Sequence, residues 1–362
     1  MWEKYRIILK TLTPIHIGCG EAFQPLEFYV VKEKLYELDT DRFLENLSSE
    51  ELKEYFKIFE KKDIGIVIEL FSFTQKTFSN LLNRLANKDK KEILKLIKSQ
   101  IKIPKYFKKD FEDVINNKVR INKFSIEKTF KNIKGKPYIP GSSLKGSIRT
   151  AVLNYLNRSQ KVKKENLKNK KSSLEAEGKI LNCYNEKEDN TYNISEDPFK
   201  FVKISDLHLK NKSQVATQIY YGLNFHKERK KCGIPTYLEC ILCGEEFTGE
   251  FQIVKNNLLN FDIIIKALKE FYNKDFEKEK QLLQRLEKLY SFILPEELIN
   301  YSTNDKPLIR LGKHSGNEFV TIKNLRRLLN TKTIWLASET KKINSNSKVY
   351  PFGWTEISFE KI

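Results

Sequence analysis

Residues 136–156, KPYIPGSSLKGSIRTAVLNYL, are compatible with few structures. Pro140-Gly141 turns the backbone, Ser142 or Ser143 is placed to cap, and Leu144, Ile148, Val152 and Tyr155 then fall on one helical face. The expectation is a turn running straight into an amphipathic helix. Lys145 and Arg149 stand four apart and share a face beside the helix N-terminus, whose free N–H groups attract anions. Gly146 and Ser147 put little side chain between the cations, so a backbone ligand can approach closely. The competing reading is a capped helix with solvated charges. The continuation favours an anion seat: Lys145, Arg149, Arg158, Lys161, Lys163, Lys164, Lys168, Lys170 and Lys171 are opposed only by Glu165. A nucleic-acid backbone is the natural counterpart of such a run.

The whole chain leans the same way. Among 362 residues Lys plus Arg number 66 against 47 Asp plus Glu, a formal charge of +19, and an excess of that size seeks polyanions. The length is roughly twice a typical domain and favours two packed domains. Hydrophobic residues at 40% supply folded cores beneath a charged surface. No run approaches the roughly 18 to 20 apolar residues of a membrane span, so no membrane partner is expected. Residues 1–14, MWEKYRIILKTLTP, read as a strand and not as a leader, which makes the cytoplasm the expected location. Five cysteines, an odd number, make no disulfide framework and suit a reducing compartment.

Residues 5–12 alternate as a strand and meet a glycine-bearing loop, and 26–31 with 34–38 read as a hairpin. Ser48 and Glu51 form a capping box ahead of a helix, and 80–101 read as a second helix with a polar break at 87–91. Residues 158–197 have few apolar positions and read as an exposed basic insertion or linker. Residues 199–204 are strand-like, 237–242 pair with 247–254 as a hairpin around Gly244, 261–271 and 276–289 are helical, and short strands are expected at 308–311 and 334–337. The class is α+β, in two units at 1–157 and 198–362.

His16, in Thr13-Pro14-Ile15-His16-Ile17-Gly18, is the one candidate general base for RNA cleavage, and no second catalytic group accompanies it. An RNA-contacting or structural imidazole is the commoner role at such a position. Lys313 and His314 lie in a glycine-bearing loop, 310–316, that reads as phosphate-gripping. Cys240 and Cys243 with Cys232 and His226 make up the residues of a zinc site, but residues three apart on a strand point to opposite faces, so buried thiols and no metal are expected. The 24 Phe, 16 Tyr and 3 Trp are compatible with base stacking, though most must be core. Phosphate-binding P-loops, dinucleotide fingerprints, HExxH and Ser-His-Asp orders are missing, and no cofactor is expected.

The run 138–151 together with 13–18 resembles RAMP proteins of CRISPR systems. Residues 197–206 (DPFKFVKISD), the loop 310–316 and the closing Pro351-Phe352-Gly353-Trp354 narrow the likeness to the fifth-subunit family of type III-A Csm effector complexes. That resemblance implies a non-catalytic crRNA-binding component with two ferredoxin-like (RRM-like) units carrying insertions. It would cap the backbone filament at the crRNA 3′ end and be needed for 3′ maturation by trimming nucleases. Its partners would be crRNA, target RNA and adjacent backbone and small Csm subunits. The resemblance places Gly141, Ser142, Ser143, Lys145, Gly146 and Arg149 against crRNA, and Gly312 and Gly316 in the family's glycine-rich loop. His16, Gly18, Arg158, Lys161, Lys313 and His314 join them as RNA-contact candidates. The loop aspartate of target-cutting relatives has no match here, which favours a cap over a nuclease; the alternative is a metal-independent repeat endoribonuclease built on His16.

Overall fold

In the computed structural model, residues 1–61, 65–86, 90–116, 124–164, 167, 173–185, 191–211, 215–303, 306–325 and 332–362 are described. The first sheet is built on β1 (Glu3–Thr11), in which Tyr5, Ile7 and Leu9 face inward and Lys4, Arg6 and Lys10 outward. β1 lies antiparallel between β14 (Glu246–Ile253) and β18 (Trp354–Lys361). β15 (Leu308–Arg310) extends the sheet beyond β18, while β10 (Val202–Ile204), β11 (Leu207–Leu209) and β7 (Tyr138–Ile139) extend it beyond β14.

The second sheet runs β2 (Gly18–Ala22), β6 (Ile126–Thr129), β13 (Thr236–Ile241), β12 (Thr217–His226), β5 (Ile97–Lys102), β4 (Lys34–Leu38), β3 (Phe28–Val31), with β16 (Thr333–Ser338) also on β12 and β17 (Val349–Pro351) on β16. β8 (Tyr184–Asn185) and β9 (Thr191–Tyr192) form a separate ribbon. Each sheet takes strands from both sides of 158–197, so that segment does not divide one sheet from the other. The hairpin expected around Gly244 is not formed: β13 belongs to the second sheet and β14 to the first, and Gly244, at φ +82, turns the chain from one to the other. The hairpin of β3 and β4 is as expected.

Helices α1 (Thr40–Glu45), α2 (Ser49–Phe59), α3 (Gly65–Ala86) and α4 (Lys90–Lys95) enclose a small second core with Phe43, Ile58, Phe73 and Phe78. The Ser48–Glu51 capping box opens α2. The helix expected over 80–101 gives way at Ile97 to β5, whose Ile101 packs into the main core; its break at 87–89 lies outside the described residues. α5 (Phe107–Ile115) and α6 (Gly141–Leu156) bury apolar stripes in the main core. The segment 158–197 is less exposed than its composition implies. Val162, Leu167, Leu181 and Cys183 are core residues, as are Ala176 and Ile180 of α7 (Ser173–Ile180). Glu165, Lys168, Lys170 and Lys171 lie outside the described residues. α8 (Phe261–Leu268), capped by Asn260, continues through a π-helical turn at Lys269–Asn273 into α9 (Lys274–Tyr290), so that Phe271 and Tyr272 both point inward; α10 (Glu296–Ile299) follows. No helix among the described residues is long and apolar enough to cross a membrane.

Candidate nucleic-acid interface

The motifs scattered along the chain meet at the seam between the two sheets. Leu12 and Thr13 donate backbone N–H groups to the Trp354 carbonyl, Gly353 donates to Pro14, Leu311 to Gly353, and Lys313 to His16. Gly312 sits at φ +85 with the His16 carbonyl 2.4 Å from where a Cβ would lie, so loop 310–316 is pressed onto the His16 loop. α6 joins the same seam: the Ser147 hydroxyl donates to the Arg310 carbonyl, and the Tyr272 hydroxyl donates to Ser147 O.

At the tip of α6 the sequence expectation fails in part. The N-cap is Pro140, and neither Ser142 nor Ser143 caps. The Gly141 N–H donates instead to Asp206 Oδ1 at 2.8 Å, while those of Ser143 and Leu144 turn back to Pro140 O. A carboxylate therefore takes the place that an anion seat would give to a phosphate. Lys145 donates to the Val202 carbonyl at 2.7 Å, and burial pulls its ammonium below the usual lysine value. Arg149 is spent within the fold: Nε reaches Glu177 at 3.0 Å, Nη1 reaches Asp197 at 2.9 Å, Nη2 donates to the Tyr192 hydroxyl, and the guanidinium lies 4.9 Å from the Phe199 ring centroid. Burial opposes its charge, but Asp197 and Glu177 outweigh that and hold its pKa above the ordinary value. Both cations are thus engaged within the fold, Arg149 by two carboxylates and Lys145 by a single carbonyl.

The second cluster is also inward-facing. His16 is fully buried; its Nδ1 sits 2.7 Å from Glu239 O and its Nε2 faces Glu127 at 3.4 Å. His16 thus presents neither ring nitrogen to solvent. His16, against the opposing effect of partial burial, and Lys313, bonded at 2.6 Å, together hold the Glu127 carboxyl down to about 2. Lys313 is half-exposed and ion-paired to Glu127. His314, at φ +66, stacks on Trp335 at 4.2 Å, and burial, then Lys313 and His16, pull its pKa to about 4. Gly18 is exposed next to His16.

The remaining candidates do face solvent. Ser142 and Gly146 are exposed, with open space where a Gly146 Cβ would stand, and Ser143 is half-buried. Past the end of α6, Arg158 covers the Tyr155 ring and approaches Glu270 only to 3.9 Å, while Lys161 is exposed. Of the three thiols expected to be buried only Cys240, on β13, is; Cys232 and Cys243 are exposed, and no group of three or more His, Cys, Asp and Glu able to hold a metal occurs among the described residues. The sequence reading missed the acids that quench α6. Asp197 and Asp206 open and close the run 197–206, yet nothing local marks them as partners of Arg149 and Gly141 respectively.

Residues 8–312 match the RAMP superfamily. The chain belongs to that superfamily. As a RAMP protein it is 28% identical over 278 residues to a Methanocaldococcus jannaschii protein named CRISPR system Cms protein Csm5, covering 76% of this chain and 58% of the relative. It is 29% identical over 244 residues to a Streptococcus thermophilus protein of the same name, covering 66% of this chain and 61% of the relative. The aligned region is thus less than two thirds of either relative's length. Its fold is similar to a chain in a cryo-EM structure of a Csm-crRNA-target RNA ternary complex of a type III-A CRISPR-Cas system, with TM-score 0.62 and 18% identity over 99% of this chain and 100% of that one. A crystal structure of T. onnurineus Csm5 is similar with TM-score 0.55 and 18% identity, over 96% and 99%.

Proposed function

We propose that this RAMP protein is a crRNA-binding subunit of a type III-A Csm effector complex, occupying the Csm5 position. The observation that carries the reading is the end-to-end fold likeness to a chain of a Csm-crRNA-target RNA assembly, joined to two relatives that bear the Csm5 name. In this role the chain caps the backbone filament at the crRNA 3′ end, meets target RNA and neighbouring Csm subunits, admits the nucleases that trim that end, and cuts no RNA itself. Enclosure of His16 supports the non-catalytic reading over repeat cleavage.

For the crRNA path, the exposed side of α6 is the surface we assign. Ser142 and Gly146 let a sugar-phosphate strand approach, and Arg158 and Lys161 supply charge past the helix end. Co-expression with the other Csm subunits tests this. The tagged chain should retain a discrete crRNA and those subunits, and omitting it should leave crRNA with longer 3′ ends. A chain that purifies without RNA and leaves 3′ lengths unchanged would refute the assignment.

A further inference from the structure

The loop joining β12 to β13 turns at 227–231, where Lys227, Arg229, Lys230 and Lys231 are opposed by Glu228 alone. Arg229, Lys230 and Lys231 are exposed and Lys227 is half-buried. No ion pair of any of the four occurs among the described residues, which sets them apart from Arg149 and Lys313.

Their backbone is held without help from their side chains. The buried Tyr290 hydroxyl lies 2.8, 2.6 and 2.8 Å from the carbonyls of His226, Arg229 and Lys231, donating to one at a time, and accepts from the Lys231 N–H at 3.0 Å. His226 Nδ1 accepts the N–H groups of Glu228 and Arg229, and the Lys227 N–H donates to Lys332 O. A turn with every such anchor on the inside has its charges pre-placed on the outside, so little ordering is lost when an anion is bound. Four cations within five residues match a chain of closely spaced phosphates and offer no base-reading geometry.

We propose that loop 227–231 is a second phosphate contact for RNA, separate from the α6 face and indifferent to base sequence. This inference rests on the RNA-binding reading above. The test is a salt titration of the full chain with single-stranded RNA, comparing a variant with Lys227, Arg229, Lys230 and Lys231 all changed to Ala against a control of equal charge loss in which the exposed Lys4, Lys53, Lys57 and Lys266 become Ala. Each phosphate contact on a single strand adds about 0.7 to the salt slope. The loop variant should therefore bind about tenfold or more weakly near physiological salt, with a slope lower by roughly 2 to 3 units, and the control should change far less. Equal behaviour of the two variants overturns the loop site while the wild-type affinity leaves RNA binding standing. A wild-type chain that binds no RNA at any salt overturns the underlying reading as well.

Discussion

Arg149 Nη1 donates to Asp197 Oδ2 over 2.9 Å, tying the middle of α6 to the Asp-Pro-Phe turn 48 residues further on. Asp197 also accepts from the Phe199 N–H and the Tyr192 hydroxyl, so one carboxylate holds the turn, the ribbon tyrosine and the helix together. A phosphate arriving at Arg149 would have to displace partners already at bonding distance, which makes the residue a strap and not a free cation.

Arg149→Ala is accordingly expected to cost stability more than RNA affinity. It leaves Asp197 and Glu177 without their cation in a mostly buried setting, for a loss of about 2 to 3 kcal/mol in denaturant unfolding. In the folded protein at low temperature the RNA salt slope should stay at the wild-type value. A slope that falls while stability holds would return Arg149 to the interface.

What the sequence disclosed was local. The β3–β4 hairpin, the Ser48 capping box and the stripe of α6 each depend on residues within a turn or two, and each is present. β12 goes unnamed in the sequence reading because both its faces are covered: Ile219, Tyr220, Tyr221, Leu223 and Phe225 are all buried, and no period-2 alternation marks the strand. Gly244 signalled a turn correctly, but a turn does not say which sheet the next strand joins. The same limit applied to the site. Glu177, Asp197 and Asp206 stand 28, 48 and 65 residues from the α6 groups they quench, a separation over which charge pairing leaves no periodic mark.

Gly312→Ala tests the seam. The left-handed φ of +85 disfavours any side chain, and the new Cβ would meet the His16 carbonyl at 2.4 Å, with backbone on both sides of the clash. The expected loss is about 2 kcal/mol or more, part backbone strain and part forced separation of the two loops. Thermal unfolding measures it; a change within about 0.5 kcal/mol would mean that the loops do not need to touch.

Stability should also fall on acidification, in two windows. His314 has a folded pKa near 4 against an ordinary 6.5, so the unfolded chain binds its proton first and stability is lost as pH drops from about 6.5 to 4. Glu127, held down to about 2 against 4.5, adds a further loss as pH falls through that lower range. His314→Asn, which tolerates the positive φ, should flatten the melting-temperature slope between pH 6.5 and 4 whatever it does to the plateau. A slope identical to wild type would place the titrating group elsewhere.

Tyr290→Phe separates the shape of loop 227–231 from its charge. The ring keeps its edge-on contact with Phe225 at 4.9 Å, but the hydroxyl that gathers three carbonyls and one N–H is gone. Removing a buried hydroxyl with such partners should lower stability by about 1 to 2 kcal/mol. All four cations remain, so the number of phosphates they can neutralise, and with it the RNA salt slope, should not change. Affinity should nevertheless drop a few-fold, because a loosened turn must be ordered at the moment of binding. An affinity equal to wild type would show that charge alone positions the loop, and a slope as low as that of the four-alanine variant would show that the cations depend on this hydroxyl to reach the RNA at all.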